Sequence, residues 1–194
     1  MRRRRILSAV GVASAGALAG CGGRAPTTEE AGGGAGSDEG DGSSGSDASE
    51  TDSLPTAWPS GRYADYEATT VAVRGPGDEP RGEVRAALAD TRKKRILGLS
   101  AAPSLPDDAG MLFVYDAPQA SLTYIMPEMS FGIDIVYVDA DRAITRIHNA
   151  PKPGPNEDGS EQQYDGSGQY VLEVPYRWTD RNGVAVGDTL SFQL

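Results

Sequence analysis

Phe131-Gly132-Ile133-Asp134-Ile135-Val136-Tyr137-Val138-Asp139-Ala140-Asp141-Arg142-Ala143-Ile144-Thr145-Arg146-Ile147-His148 reads as two strands joined by a turn. Phe131 to Val138 and Ala143 to His148 carry the β-branched and aromatic residues that suit a pleated surface, and Asp139-Ala140-Asp141 supplies the hairpin turn. Working outward, similar short runs recur between Gly, Pro and Asp punctuation. Thr70 to Arg74, Glu83 to Ala89, Met111 to Tyr115, Leu122 to Met126, Gln169 to Val174 and Thr189 to Leu194 all read as strands. One helix is predicted over Arg92 to Leu97, capped by Asp90 or Thr91 and stopped by Gly98 in a left-handed conformation. A single helical turn is predicted over Tyr176 to Arg181, with Trp178 packing it against the strands. The fold class is therefore all-β with minor α: a small β-barrel or sandwich of eight or so strands with one or two short helices.

The N-terminal third has a different composition. Arg2 to Arg5 form a positive cluster, and Ile6 to Ala19 is apolar but too short to span a hydrocarbon core as a helix. Residues 1–20 read as an export leader, and Arg3-Arg4-Arg5-Ile6-Leu7 resembles a twin-arginine signal. The string Leu18-Ala19-Gly20-Cys21 resembles a lipoprotein cleavage site, which makes Cys21 the lipidated first residue of the mature chain. Cys21 is the one cysteine in the sequence, so lipidation leaves no thiol for a disulfide or a sulfur-bound metal. Residues 21–58 are rich in Gly, Ser and acidic residues and are expected to form a disordered stalk with a reach of roughly 30 Å. Residues 59–194 are expected to fold as one domain. The expected location is the outer face of the cell membrane, with the membrane engaged through the lipid on Cys21.

The chain carries a formal net charge of −10, and removal of the four leader arginines leaves −14 from Cys21 onward. Lys93, Lys94 and Lys152 are the only lysines. An acidic, lysine-poor surface fits a halophilic protein better than an ordinary acidic one; in molar salt the Debye length is about 3 Å, so such charge neither steers partners nor repels itself strongly. The same charge argues against nucleic acid as a partner.

Candidate chemistry is sparse. Asp134 interrupts an apolar strand, and alternation sets it with Val136 and Val138 on one face, with Ile133, Ile135 and Tyr137 on the other. A buried carboxylate needs a partner. Arg95, Glu173 or a backbone amide can fill that role, and the specific expectation is that Arg95 and Asp134 approach each other and organise one end of a pocket. An Asp134–Glu173 pair is the alternative, for acid/base work or a divalent cation. His148 is the single histidine, which leaves a catalytic triad or a multi-histidine metal site without support. Asn156 to Glu161 has only part of a calcium-loop pattern and reads as an acidic surface turn. Tyr124, Met126, Met129 and Phe131 line an apolar ligand cleft or belong to ordinary core. No metal site or cofactor is expected.

Five strings, taken in order, carry a resemblance. They are Arg95-Ile96-Leu97-Gly98-Leu99, Leu105 to Tyr115, Ile133 to Asp139, Tyr170-Val171-Leu172-Glu173-Val174 and Gly183 to Asp188. Together they resemble the domain-of-unknown-function 192 family over about Thr70 to Leu194, here in a halophilic archaeal lipoprotein form. The resemblance implies a compact β-barrel or sandwich and brings no established activity. Ser100 and Ala102 stand where that family commonly has methionine and arginine. Tyr124-Ile125-Met126-Pro127-Glu128-Met129 stands where it has Phe-Trp-Met-Lys-Asn-Thr, and only Met126 is retained. The functional expectation is a non-catalytic module for a small molecule or surface glycan, with Arg95, Tyr124, Met126, Asp134 and Glu173 as candidate binding or structural residues. An envelope accessory protein binding another protein is the alternative, and a carboxylate-based hydrolase or metal enzyme a third.

Overall fold

The computed structural model describes residues 54–194; the leader, Cys21 and all but the last residues of the expected stalk lie outside them. Seven strands form one sheet: β1 (Ala68–Arg74), β2 (Pro80–Ala89), β3 (Ala109–Ile125), β4 (Ile133–Val138), β5 (Ile144–Ala150), β6 (Gln163–Pro175) and β7 (Thr189–Ser191). Their order is β5-β4-β6-β3-β2-β1-β7. Every neighbouring pair is antiparallel except β2 and β3, which run parallel. A parallel pair needs a crossover, and helix α1 (Arg92–Leu97) lies in it. The sheet curls until its two edges meet at one end. There Ala143 bridges Thr189, and the Ile144 N–H donates to the Asp188 carbonyl at 2.8 Å. The result is a half-barrel built from a single sheet, not a two-sheet sandwich.

The curl divides the core in two. Inside it pack Val71, Val84, Leu112, Val136, Leu172 and Leu190 with their neighbours, drawn from both edges as well as the centre. On the outer face Ala87, Met111, Phe113, Ile135, Tyr137 and Val171 form a second core, covered by connecting segments. Strand β4 is buried at all six positions because both faces are covered, and its alternation follows the phase read from sequence. Trp58 closes part of the outer core: it is buried, and its indole N–H donates to the Gly110 carbonyl at 2.8 Å. The folded unit therefore includes Trp58, one residue before the expected start.

Several boundaries differ from the sequence reading. Met111 to Tyr115 and Leu122 to Met126 belong to one strand, β3, whose pairing with β6 is irregular between Val114 and Leu122. Gln169 to Val174 is the central part of the longer β6. Helix α1 has the expected bounds, with Thr91 as its cap accepting from the Lys94 N–H. Gly98 has the expected positive φ of 49°, but its ψ of −141° lies outside the left-handed helical well. The hairpin turn extends to Arg142, which takes a positive φ, while the Asp139 side chain accepts from the Ala143 N–H. The last helix, α2, is Trp178–Arg181.

A pocket on the outer face of the sheet

Strand β6 alternates Val171 and Glu173 onto the outer face, and its register with β3 sets Met111 opposite Glu173 and Phe113 opposite Val171. Helix α1 and the turn after it lie above these residues on one side, and the Met126–Met129 turn on the other. The space between them is a pocket of about 410 Å³, within the range of small-molecule sites. Phe113, Leu97, Leu99, Tyr124, Met126 and Met129 form its walls, with Glu173 among them. The Met126–Met129 turn is held by Gly159, whose carbonyl accepts from the Met126 N–H. A Cβ at Gly159 would stand 2.0 Å from the Met126 carbonyl oxygen, and its φ is +82°, so only glycine permits this approach.

Glu173 is the unusual member of the set. It is 5 % exposed, and no hydrogen-bond donor reaches its carboxyl group among the described residues. Burial alone pushes its pKa up to about 8, because an apolar surrounding penalises the charged form. Tyr124 is raised well above its ordinary 10, first by burial and then by the neighbouring Tyr115 and Glu173. Its hydroxyl lies 3.1 Å from that of Tyr115, and its ring meets Phe113 edge-on at 5.1 Å. Arg95 forms another side. Its Nη1 donates to the carbonyls of Asp90 at 2.8 Å and Val114 at 2.7 Å, and the guanidinium stacks 4.7 Å from the Tyr115 ring centre. It fastens α1 to β3.

Four of the sequence candidates, Arg95, Tyr124, Met126 and Glu173, thus gather at one pocket. Asp134 does not. It faces the other side of the sheet, fully buried, and accepts from Asn149 Nδ2, the Arg177 N–H and the Thr179 N–H, each at 2.8 Å, and from Thr179 Oγ1 at 2.6 Å. The expected approach of Arg95 to Asp134 is therefore incorrect, and backbone amides, the third option, carry the pairing together with two side chains. The Asp134–Glu173 pair is also excluded. Register sets Asp134 opposite Val174 and Ile135 opposite Glu173, so the two carboxylates point to opposite faces.

His148 lies on β5, with Nε2 2.9 Å from the Asp165 carbonyl and its ring between Tyr137 and Tyr164. Asn156 to Glu161 is a surface turn in which Asp158 accepts from Ser160. Trp178 is buried and donates to Asp108 at 2.8 Å. Phe113, Tyr115 and Leu97 were missed as pocket residues. Phasing β3 against β6 would have found Phe113, since it shares Glu173's face. Ser100, noted as a departure from the family pattern, also lines the pocket, as do Ile125, Pro127 and Met129 of the altered Tyr124–Met129 segment.

The DUF192 model, described as "Uncharacterized ACR, COG1430", matches residues 74–192. A crystal structure from Sinorhizobium meliloti 1021, titled as a "putative transcription regulator", is 25% identical with a TM-score of 0.59. It covers 66% of this chain, and the match takes in 95% of that one. A protein of unknown function from Novosphingobium aromaticivorans is also 25% identical, with a TM-score of 0.57, covering 66% of this chain and 87% of its own. No curated protein matches.

Proposed function

We propose that this chain, which belongs to the DUF192 family, is a binding protein that takes a small molecule into the outer-face pocket. The carrying observation is an apolar-walled cavity of about 410 Å³ that holds a buried carboxyl group with no partner among the described residues. Its size and apolar walls suit one compact molecule better than a glycan, which needs an open polar surface. The Leu18-Ala19-Gly20-Cys21 string and the Gly/Ser/acidic segment after it support a lipid-anchored domain displayed on a tether at the outer face of the membrane. The acidic, lysine-poor composition supports a high-salt setting.

The test is a thermal-shift screen of the full chain in concentrated KCl against small metabolites, with Ser100→Phe as a pocket-filling control. A ligand at a hundred times its dissociation constant adds about 2.7 kcal/mol, worth several degrees in a domain of this size. The expected result is a shift in the native chain that Ser100→Phe abolishes. Ile96 and Ile125, 69% and 43% exposed at the pocket mouth, favour a second reading in which an envelope protein docks there. A flat screen, with envelope-extract capture lost on Ile96→Asp, supports that reading instead.

A further inference from the structure

The two buried carboxyl groups of the sheet differ in what the chain provides for them. Asp134 receives four donors from Asn149, Arg177 and Thr179. Glu173, 5% exposed where it opens onto a cavity, receives none among the described residues. A buried polar group normally has a partner, and the missing one here has room to arrive from outside.

We propose that Glu173 is the cation-recognition group of the pocket, and that the ligand class is a small protonated amine with an apolar body. The proposal rests on the pocket being a ligand site. An ammonium group satisfies a carboxylate by charge and by N–H donation together. The rings of Phe113 and Tyr124, at right angles to each other, offer aromatic surface that also favours a cation. The Tyr115 and Tyr124 hydroxyls retain lone pairs that accept from an ammonium. The apolar body lies along Leu97 and Met126 and leaves past Ile96 and Ile125. An anion is disfavoured, because it would be enclosed beside Glu173 while Arg95, the other charged residue at the pocket, is already held by two carbonyls and the Tyr115 ring.

Cation binding carries a proton signature. With Glu173 raised by burial, the empty pocket holds a neutral acid at neutral pH, and the ammonium displaces its proton to solvent. The groups facing Glu173 are Tyr63 from the short 3-10 turn Gly61–Tyr63 ahead of β1, Tyr115 and Tyr124 from β3, Tyr137 from β4 and Arg95 from α1. Tyr63, Tyr124 and Tyr137 are raised above their ordinary value, chiefly by burial. Glu173 is therefore the group whose proton leaves.

Calorimetry on the full chain in KCl, with three probes of one shape, tests this. The probes are 2-phenylethylammonium, 2-phenylethanol and 3-phenylpropionate. The amine is expected to bind at least about tenfold more tightly than either counterpart. Titration near pH 6.5 in buffers of different ionisation heat should show about one proton released per amine bound and none for the alcohol. Glu173→Gln, and Glu173→Leu as a second variant against misfolding, should keep alcohol binding while losing amine preference and proton release. Equal binding of amine and alcohol without proton release overturns cation recognition and leaves the pocket reading standing. If no probe binds the native chain, both fall.

Discussion

Asp134 and Glu173 occupy neighbouring strands of one sheet, and the half-barrel treats them in opposite ways. On the inner face, the chain folds Arg177 and Thr179 back over Asp134, so their amides and one hydroxyl converge on it together with Asn149. The carboxylate acts as an internal fastening for the segment after β6, which turns at Arg177 (φ of 60°) into α2. On the outer face, Glu173 lies among Phe113, Tyr124 and Met126 with no donor among the described residues and with a cavity before it. Two carboxylates that are both buried therefore need not share a role. A carboxylate surrounded by donors holds the structure together, whereas one without donors weakens the structure once it ionises.

The largest expected effect breaks the inner site. Asp134→Ala strands the buried amide and hydroxyl of Thr179 together with the Arg177 and Asn149 donors, and should cost about 4 kcal/mol in urea or guanidinium unfolding. A loss below about 1 kcal/mol would remove the contrast, since the donors would then matter little.

Next comes the pH dependence of the outer site. Glu173 titrates at an ordinary 4.5 when unfolded and at about 8 when folded. Between those values the folded state binds the extra proton, so stability falls as pH rises. The contribution is fully present below about pH 4.5 and is lost as pH rises through about pH 8. Unfolding measured across this window in native chain and Glu173→Gln should show that component only in the native chain. A pH-independent difference between them would mean that the carboxyl finds a partner in solution.

The comparison sharpens with Glu173→Leu at pH above 8, which should raise stability by about 1–2 kcal/mol, since it removes an ionised group from an apolar surrounding. Asp134→Leu should do the reverse under the same conditions. The smallest effect concerns the pocket wall. Arg95→Lys loses the planar stacking on Tyr115 and one of two carbonyl bonds, and should cost about 1 kcal/mol. Faster hydrogen exchange in α1 and at Tyr115 would accompany it, whereas β5 should be unaffected.

Much of this was legible locally. Helix α1 follows from a capping residue, Asp90 or Thr91, ahead of a short helix-forming run, and the two faces of β4 follow from the period of two in Phe131 to Val138. Asp134 stood out because a carboxylate in such a strand requires a partner. The partners themselves were not legible. The Asn149 amide lies 15 residues away in sequence and the Arg177 and Thr179 amides 43 and 45, and backbone donors leave no compositional mark. Arg95, a full charge at a plausible distance along the chain, was the wrong choice for that reason. The continuity of β3 was also hidden, because Pro118 and the polar residues around it read as a break, while pairing to β6 on either side carries the strand through.

The sequence by itself determined that a β-rich domain follows an acidic, Gly/Ser-rich segment, where most of its strand residues and its longer helix lie, and which residues belong to a buried face. Those properties depend on neighbours a few positions apart, through periodicity, capping and turn chemistry. Only the tertiary structure decided that Asp134 and Glu173 lie on opposite faces, that four of the candidate residues meet at one cavity, and that Glu173 is left without a donor among the described residues. These depend on strand register and on the docking of remote segments, where a shift of one residue exchanges the inside of the sheet for the outside.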